Sequence, residues 1–96
     1  MFIVSLTYTA PLDEIDKFIP EHIAFLNEQY ALGHFQLSGR KVPRTGGIII
    51  ATVKDRDSLD NILAKDPFQL EKLANYDVIE IVPTKSSKHL AFLIEP

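Results

Sequence analysis

Hydrophobic and polar residues alternate from the start of the chain. Over residues 2–9, Phe2, Val4, Leu6 and Tyr8 fall on one face of an extended segment, and Ile3, Ser5 and Thr7 fall on the other, the period-two pattern of a half-buried strand. The period then lengthens. Pro11 suits a first helical position and Asp13 and Glu14 a first turn, while Leu12, Ile15, Ile19, Ile23, Leu26 and Tyr30 recur at helical spacing up to a stop at Gly33. Pro20 interrupts this run and predicts that a second helix opens after a short first turn. Residues 34–41 predict a second strand, with Phe35 and Leu37 opposing Gln36 and Ser38. Residues 39–47 hold three basic residues, a proline and three glycines, which predicts a mobile or irregular connection. Residues 48–53 are apolar on both faces, as a central strand would be.

In the second half, Ser58 is placed to cap a helix running to about residue 65, with Leu59, Ile62 and Leu63 inward. Asp66 then caps a short helix whose first residue is Pro67, with Phe68, Leu70 and Leu73 as its apolar contacts. Residues 76–82 read as the last full strand, and residues 86–96 as an appended segment whose Leu90, Phe92 and Leu93 need a place to dock. The order strand, helix, strand, strand, helix, strand predicts an α+β fold. It is the ferredoxin-like βαββαβ sandwich, a four-stranded antiparallel sheet with both helices on one face. The opposite sheet face keeps Ile3 and part of 48–53, which need a cover. A second copy packed sheet to sheet would supply it, giving a dimeric α+β barrel with a cleft beside the interface.

Composition narrows the classes. Ninety-six residues, 46% apolar, predict one domain over 1–96 with a modest core, for which partner burial is an advantage. A net charge of −3 argues against a nucleic-acid backbone as partner. The RNA-binding module of the same topology stacks bases on strand aromatics, which residues 48–53 lack. The chain has no cysteine, so disulfides and thiolate chemistry are excluded. His22, His34 and His89 share no metal-ligand spacing, and no dinucleotide or phosphate-loop glycine pattern occurs, so neither a metal nor a cofactor is implied. Met1-Phe2-Ile3-Val4 does not open a signal peptide, and no apolar run approaches the roughly 20 residues that span a bilayer; a cytoplasmic location, away from membranes, is the expectation.

Candidate chemistry centres on His22 and Asp66, two titratable groups far apart in sequence. A carboxylate against an imidazole fixes its tautomer and steadies the imidazolium, a minimal acid–base unit. The face of His22 also carries Phe18, Phe25, Leu26 and Gln29, so a half-buried structural histidine is the competing reading. For Asp66 the competing reading is a helix cap, and one carboxylate can do both. Ser5, Thr7, Ser38 and Tyr8 are candidate pocket polar groups. Ser38 stands out because Gly39 beside it permits close approach of a ligand to the backbone. Arg40, Lys41 and Arg44 form the basic cluster, a solvated loop or a clamp for an acidic metabolite.

Pro20-Glu21-His22 before an amphipathic helix ending at Gly33, then Leu37-Ser38-Gly39, Gly46-Gly47 and Asp66-Pro67-Phe68, together resemble the YciI-like family over nearly the whole length. The resemblance implies a dimeric ferredoxin-like fold and a His–Asp pair in a cleft, falling on His22 and Asp66, with some relatives similar to lyases or dehydrochlorinases of ring compounds. Arg40 departs from it, standing where the family often has proline, and adds a positive charge beside the pocket. Two functions from different classes follow. One is a small-molecule enzyme of the lyase or isomerase type, with His22 and Asp66 moving a proton and Ser38, Gly39 and Arg40 holding the substrate. The other is a non-catalytic metabolite-binding or regulatory module of the same topology. A dimeric interaction protein whose polar residues only cap or face water is a third. A homodimer is expected in each case, with higher assembly left open.

Overall fold

The structure, a computed structural model, describes residues 1–94. The alternating opening segment is β1 (Phe2–Tyr8), and two helices follow, α1 (Leu12–Asp16) and α2 (Ile19–Ala31), the break between them falling just ahead of Pro20. β2 (Phe35–Arg40) and β3 (Gly46–Ala51) form a hairpin, α3 (Arg56–Leu63) and α4 (Pro67–Leu70) return across the sheet, and β4 (Ala74–Glu80) closes the order. The strands lie β2-β3-β1-β4 with every neighbouring pair antiparallel. This is the ferredoxin-like α+β arrangement, and β1 stands at its centre, paired on both edges.

Alternation decides which side of the sheet is dry. Phe2, Val4 and Leu6 of β1 are buried, together with Ile49 and Ala51 of β3 directly across from them, against Ile15, Phe25, Leu59 and Phe68 from the helices. Each large side chain buried in this way contributes about 1.5–3 kcal/mol. On the other side, Ile3, Ile48 and Ile50 are only half-buried, and Leu37 and Ile79 are 64% and 57% exposed.

Four expectations shift. The inward stripe of α2 is Phe25 and Gln29 with His22, whereas Ile23 and Tyr30 are exposed. Two of the inward positions are polar, each with its own partner: His22 meets Asp66, and Gln29 Oε1 accepts from His34 Nδ1 at 2.7 Å. A stripe built on hydrophobicity alone therefore picks the wrong phase. The cap of α3 is Asp55, whose side chain accepts from the backbone N–H of Ser58 at 2.8 Å. β2 does not alternate strictly. A bulge between Phe35 and Leu37 turns Phe35 and Ser38 to the same face, opposite Ala51 and Ile49, and Leu37 to the other. Finally, β3 begins two residues early, so the irregular connection shrinks to residues 41–45, bridged by Lys41 N–H to the Gly46 carbonyl at 2.9 Å.

The glycines explain that last shift. Gly46 pairs with Thr7 so closely that any Cβ would collide with the Leu6 carbonyl oxygen. Beyond β4 the chain runs to a 3-10 segment (Lys88–Leu93) with Leu93 half-buried and Leu90 and Phe92 exposed; positions 95 and 96 of the appended segment lie outside the described residues. Gly46→Ala should cost about 2 kcal/mol and lower the melting temperature on the order of 10 °C. Gly39→Ala, where a Cβ meets nothing within 4 Å, should be nearly neutral in the same thermal melt.

Candidate active site

Asp66 is held by three donors. It follows α3, and its side chain caps α4 by accepting from the Phe68 N–H at 3.0 Å, Pro67 having no N–H to offer. The same oxygen, Oδ1, lies 2.8 Å from His22 Nδ1, and the other, Oδ2, accepts from the Tyr76 hydroxyl at 2.6 Å. The carboxylate is fully buried, a costly placement that three converging donors compensate.

His22 comes from the first turn of α2, 44 residues away in sequence. Its ring stacks on Phe68, centroids 4.1 Å apart and planes within 10°, and its side chain is 13% exposed. Phe68 is itself braced edge-on by Tyr8 at 5.9 Å. The imidazole is thus clamped on a face and at one nitrogen. An acceptor-only carboxylate at Nδ1 makes that nitrogen the N–H donor and leaves the Nε2 lone pair for the cleft that His22 lines. Tyr76 keeps its proton: burial first, then the charge of Asp66 and the hydrogen bond to it, raise the phenol well above its ordinary value.

The cleft beside His22 has a volume of about 590 Å³, within the range of small-molecule sites. Its wall opposite α2 is the inner sheet face. Across three neighbouring strands, Leu6, Gly47 and Arg40 are side by side, and the absence of a side chain at Gly47 leaves the floor open. The β2 bulge brings Ser38 and Arg40 to this wall, where Ser38 Oγ accepts from the Tyr30 hydroxyl at 2.6 Å.

The structure therefore brings His22 and Asp66 into contact and sets Ser38, Gly39 and Arg40 along the same cleft as His22. Tyr8 lines it as well. Ser5 and Thr7 do not belong to it: they sit on the opposite face of β1, Ser5 between Ile48 and Asp77, and Thr7 accepting from Lys41 Nζ at 3.2 Å. The basic cluster is divided in the same way. Lys41 serves Thr7, while Arg44 faces the cleft and bonds Asp16 at 2.6 Å. Two groups went unseen in the sequence, Tyr76 and Tyr30. Tyr76 was findable, since a tyrosine with inward parity on a strand needs a polar partner for its tip; nothing local pointed to Tyr30.

The model of the YCII-related domain matches residues 1–83, and the chain belongs to that family. No curated protein matches it significantly. Among solved structures it is similar to 5-chloro-2-hydroxyhydroquinone dehydrochlorinase (TftG) from Burkholderia phenoliruptrix AC1100, determined in complex with 2,5-dihydroxybenzoquinone. The TM-score is 0.71 at 21% identity, over 93% of this chain and 98% of that one, a likeness of fold. Among the described residues no helix is long and apolar enough to cross a membrane.

The Tyr76 phenol makes the alkaline side of the stability profile a test of this geometry. Its folded pKa lies above the unfolded value, so its contribution is fully present below about pH 10 and is lost as the pH rises further, because the unfolded chain releases the proton first. Denaturant melts of the wild type should show an added loss approaching 1.4 kcal/mol per pH unit above about pH 10. Tyr76→Phe should lack that component while starting about 1–3 kcal/mol lower at neutral pH, with Asp66 Oδ2 one donor short. Parallel profiles for the two proteins would place the phenol outside this contact.

Proposed function

We propose that the protein is a small-molecule enzyme that moves a proton, of the lyase or isomerase type, with His22 and Asp66 as its acid–base pair. The observation that carries this reading is the His22 Nδ1–Asp66 Oδ1 bond of 2.8 Å at the edge of a cleft large enough for a small molecule. Nε2 takes a proton from an acidic C–H or O–H bond of the substrate, and the electron pair stays behind as an enolate or phenolate. Asp66 holds the resulting imidazolium through Nδ1–H, and Ser38 and Arg40 hold the anionic oxygen, with the Gly39 backbone between them lining the cleft. The proton then returns at a neighbouring atom, or the electron pair expels a leaving group. That the fold also serves a dehydrochlorinase, TftG, supports hydroxylated ring compounds as the first substrates to test.

In deuterated water the wild type should incorporate solvent deuterium into the acidic position of a hydroxylated quinone or small keto acid. His22→Gln should lower that rate by about 10²–10⁴-fold in protein that is still folded at the assay temperature, although its melting point falls with the loss of the contacts to Asp66 and Phe68. Asp66→Asn should lower the exchange rate in the same assay, because the carboxylate that fixes the imidazole tautomer and steadies the imidazolium is gone. Saturable binding with no exchange in the wild type would move the protein to the metabolite-binding class.

The reading includes a homodimer joined through the outer sheet faces, supported by half-buried Ile3, Ile48 and Ile50 and exposed Leu37 and Ile79 on one surface. Ile79→Glu should convert a dimer to monomers in sedimentation equilibrium without unfolding them. A dimer that survives the charge would place the contact elsewhere.

A further inference from the structure

We infer that the cleft selects small organic monoanions, compounds with an apolar, ring-sized body and one carboxylate or ionised-enol oxygen seated on β2. This rests on the acid–base reading only for what happens to the ligand afterwards; recognition itself follows from the charges and donors in the cleft.

The charged groups facing the space are few. Arg44 is neutralised by Asp16 at 2.6 Å, and His22 is paired with Asp66 behind it. Tyr8 is an uncharged phenol on the wall. Arg40 makes no ion pair among the described residues, so a chain of net charge −3 presents one uncompensated cation here. A guanidinium offers donors only and fits a carboxylate in bidentate fashion.

The second feature is the hydroxyl beside it. Ser38 Oγ already accepts a hydrogen bond from the Tyr30 hydroxyl at 2.6 Å, which occupies one of its two lone pairs and leaves the serine O–H to donate elsewhere. Ser38 and Arg40 alternate on one face of β2, both across from β3 on the cleft side. Arg40 offers donors only and the Ser38 O–H donates beside it, an edge that favours a ligand oxygen bearing lone pairs over an N–H at the same place. Tyr30 acts through Ser38 and is a positioning residue. The remainder of the wall, Leu6, Leu26, Ile49 and Phe68, is apolar and sets the body of the ligand.

Benzoate and benzamide are a matched pair of the same shape, one an anion with acceptors only, the other neutral with an N–H at the same position. Their binding is read at neutral pH from the NMR resonances of the His22 ring. Benzoate should bind saturably and at least about tenfold more tightly than benzamide, the advantage shrinking as salt is raised. Arg40→Gln should bring the ratio close to one. Tyr30→Phe should reduce it in part while benzamide binding stays unchanged, an effect that a purely structural tyrosine would not produce. Failure of benzoate to bind, equal affinity for the two, or a preference that survives Arg40→Gln would each overturn the inference. Because the readout is binding, a benzoate preference without proton exchange leaves the anion site standing and removes the acid–base reading. Exchange confined to neutral substrates does the reverse.

Discussion

A buried carboxylate with three donors ties together parts of this chain that share nothing in sequence. Asp66 caps α4 through the Phe68 N–H, reaches α2 through His22 and reaches β4 through Tyr76. Leaving a buried acceptor one donor short costs about 1–3 kcal/mol, and more where it is charged, against about 1 kcal/mol for an exposed helix cap. The helical layer and the edge strand are therefore held in register by a polar contact inside a largely apolar core. The same contact sets the tautomer and orientation of the imidazole. The helix cap and the contact with the imidazole are here carried by one carboxylate, the combination that the sequence left open.

The other half of the cleft depends on an irregularity. A strictly alternating β2 would put Ser38 opposite Phe35, on the uncovered side of the sheet. The bulge beside Gln36 reverses that parity, so Phe35 stays in the core while Ser38 and Arg40 turn toward α2. An extra residue in a strand is a local defect in pairing, and here it carries two polar side chains from the outer face to the cleft face. Gly47, between Leu6 and Arg40, leaves the intervening floor vacant.

Much of the fold was legible because periodicity is a direct consequence of burial. Alternation at Phe2–Tyr8, the apolar run that includes Ile48–Ile50, and proline at the heads of α2 and α4 each constrain the backbone locally. Errors gathered where a polar residue is buried with a distant partner. His22 and Gln29 occupy the inward stripe of α2, so the exposed Ile23 and Tyr30 looked like core. Strand ends were displaced by two residues at β3 and β4, since pairing with β1 rather than composition decides where a strand stops.

For the site, residue type and motif pointed to His22 and Asp66, because a histidine after Pro20-Glu21 and an aspartate before Pro67 each have a recognisable local place. Tyr76 joins them only through β4 pairing with β1, and Tyr30 meets Ser38 only once α2 lies across β2. The order of elements and the buried face of β1 follow from neighbours a few positions away, and local motifs single out His22 and Asp66 as candidates. Tertiary structure alone decided that Tyr76 joins the His22–Asp66 contact, that Ser38 and Arg40 line a cleft with His22, and that Ser5 and Thr7 do not. The reason is physical: a one-residue bulge reverses every following side chain, and hydrogen bonds across tens of residues exist only after the layers have packed.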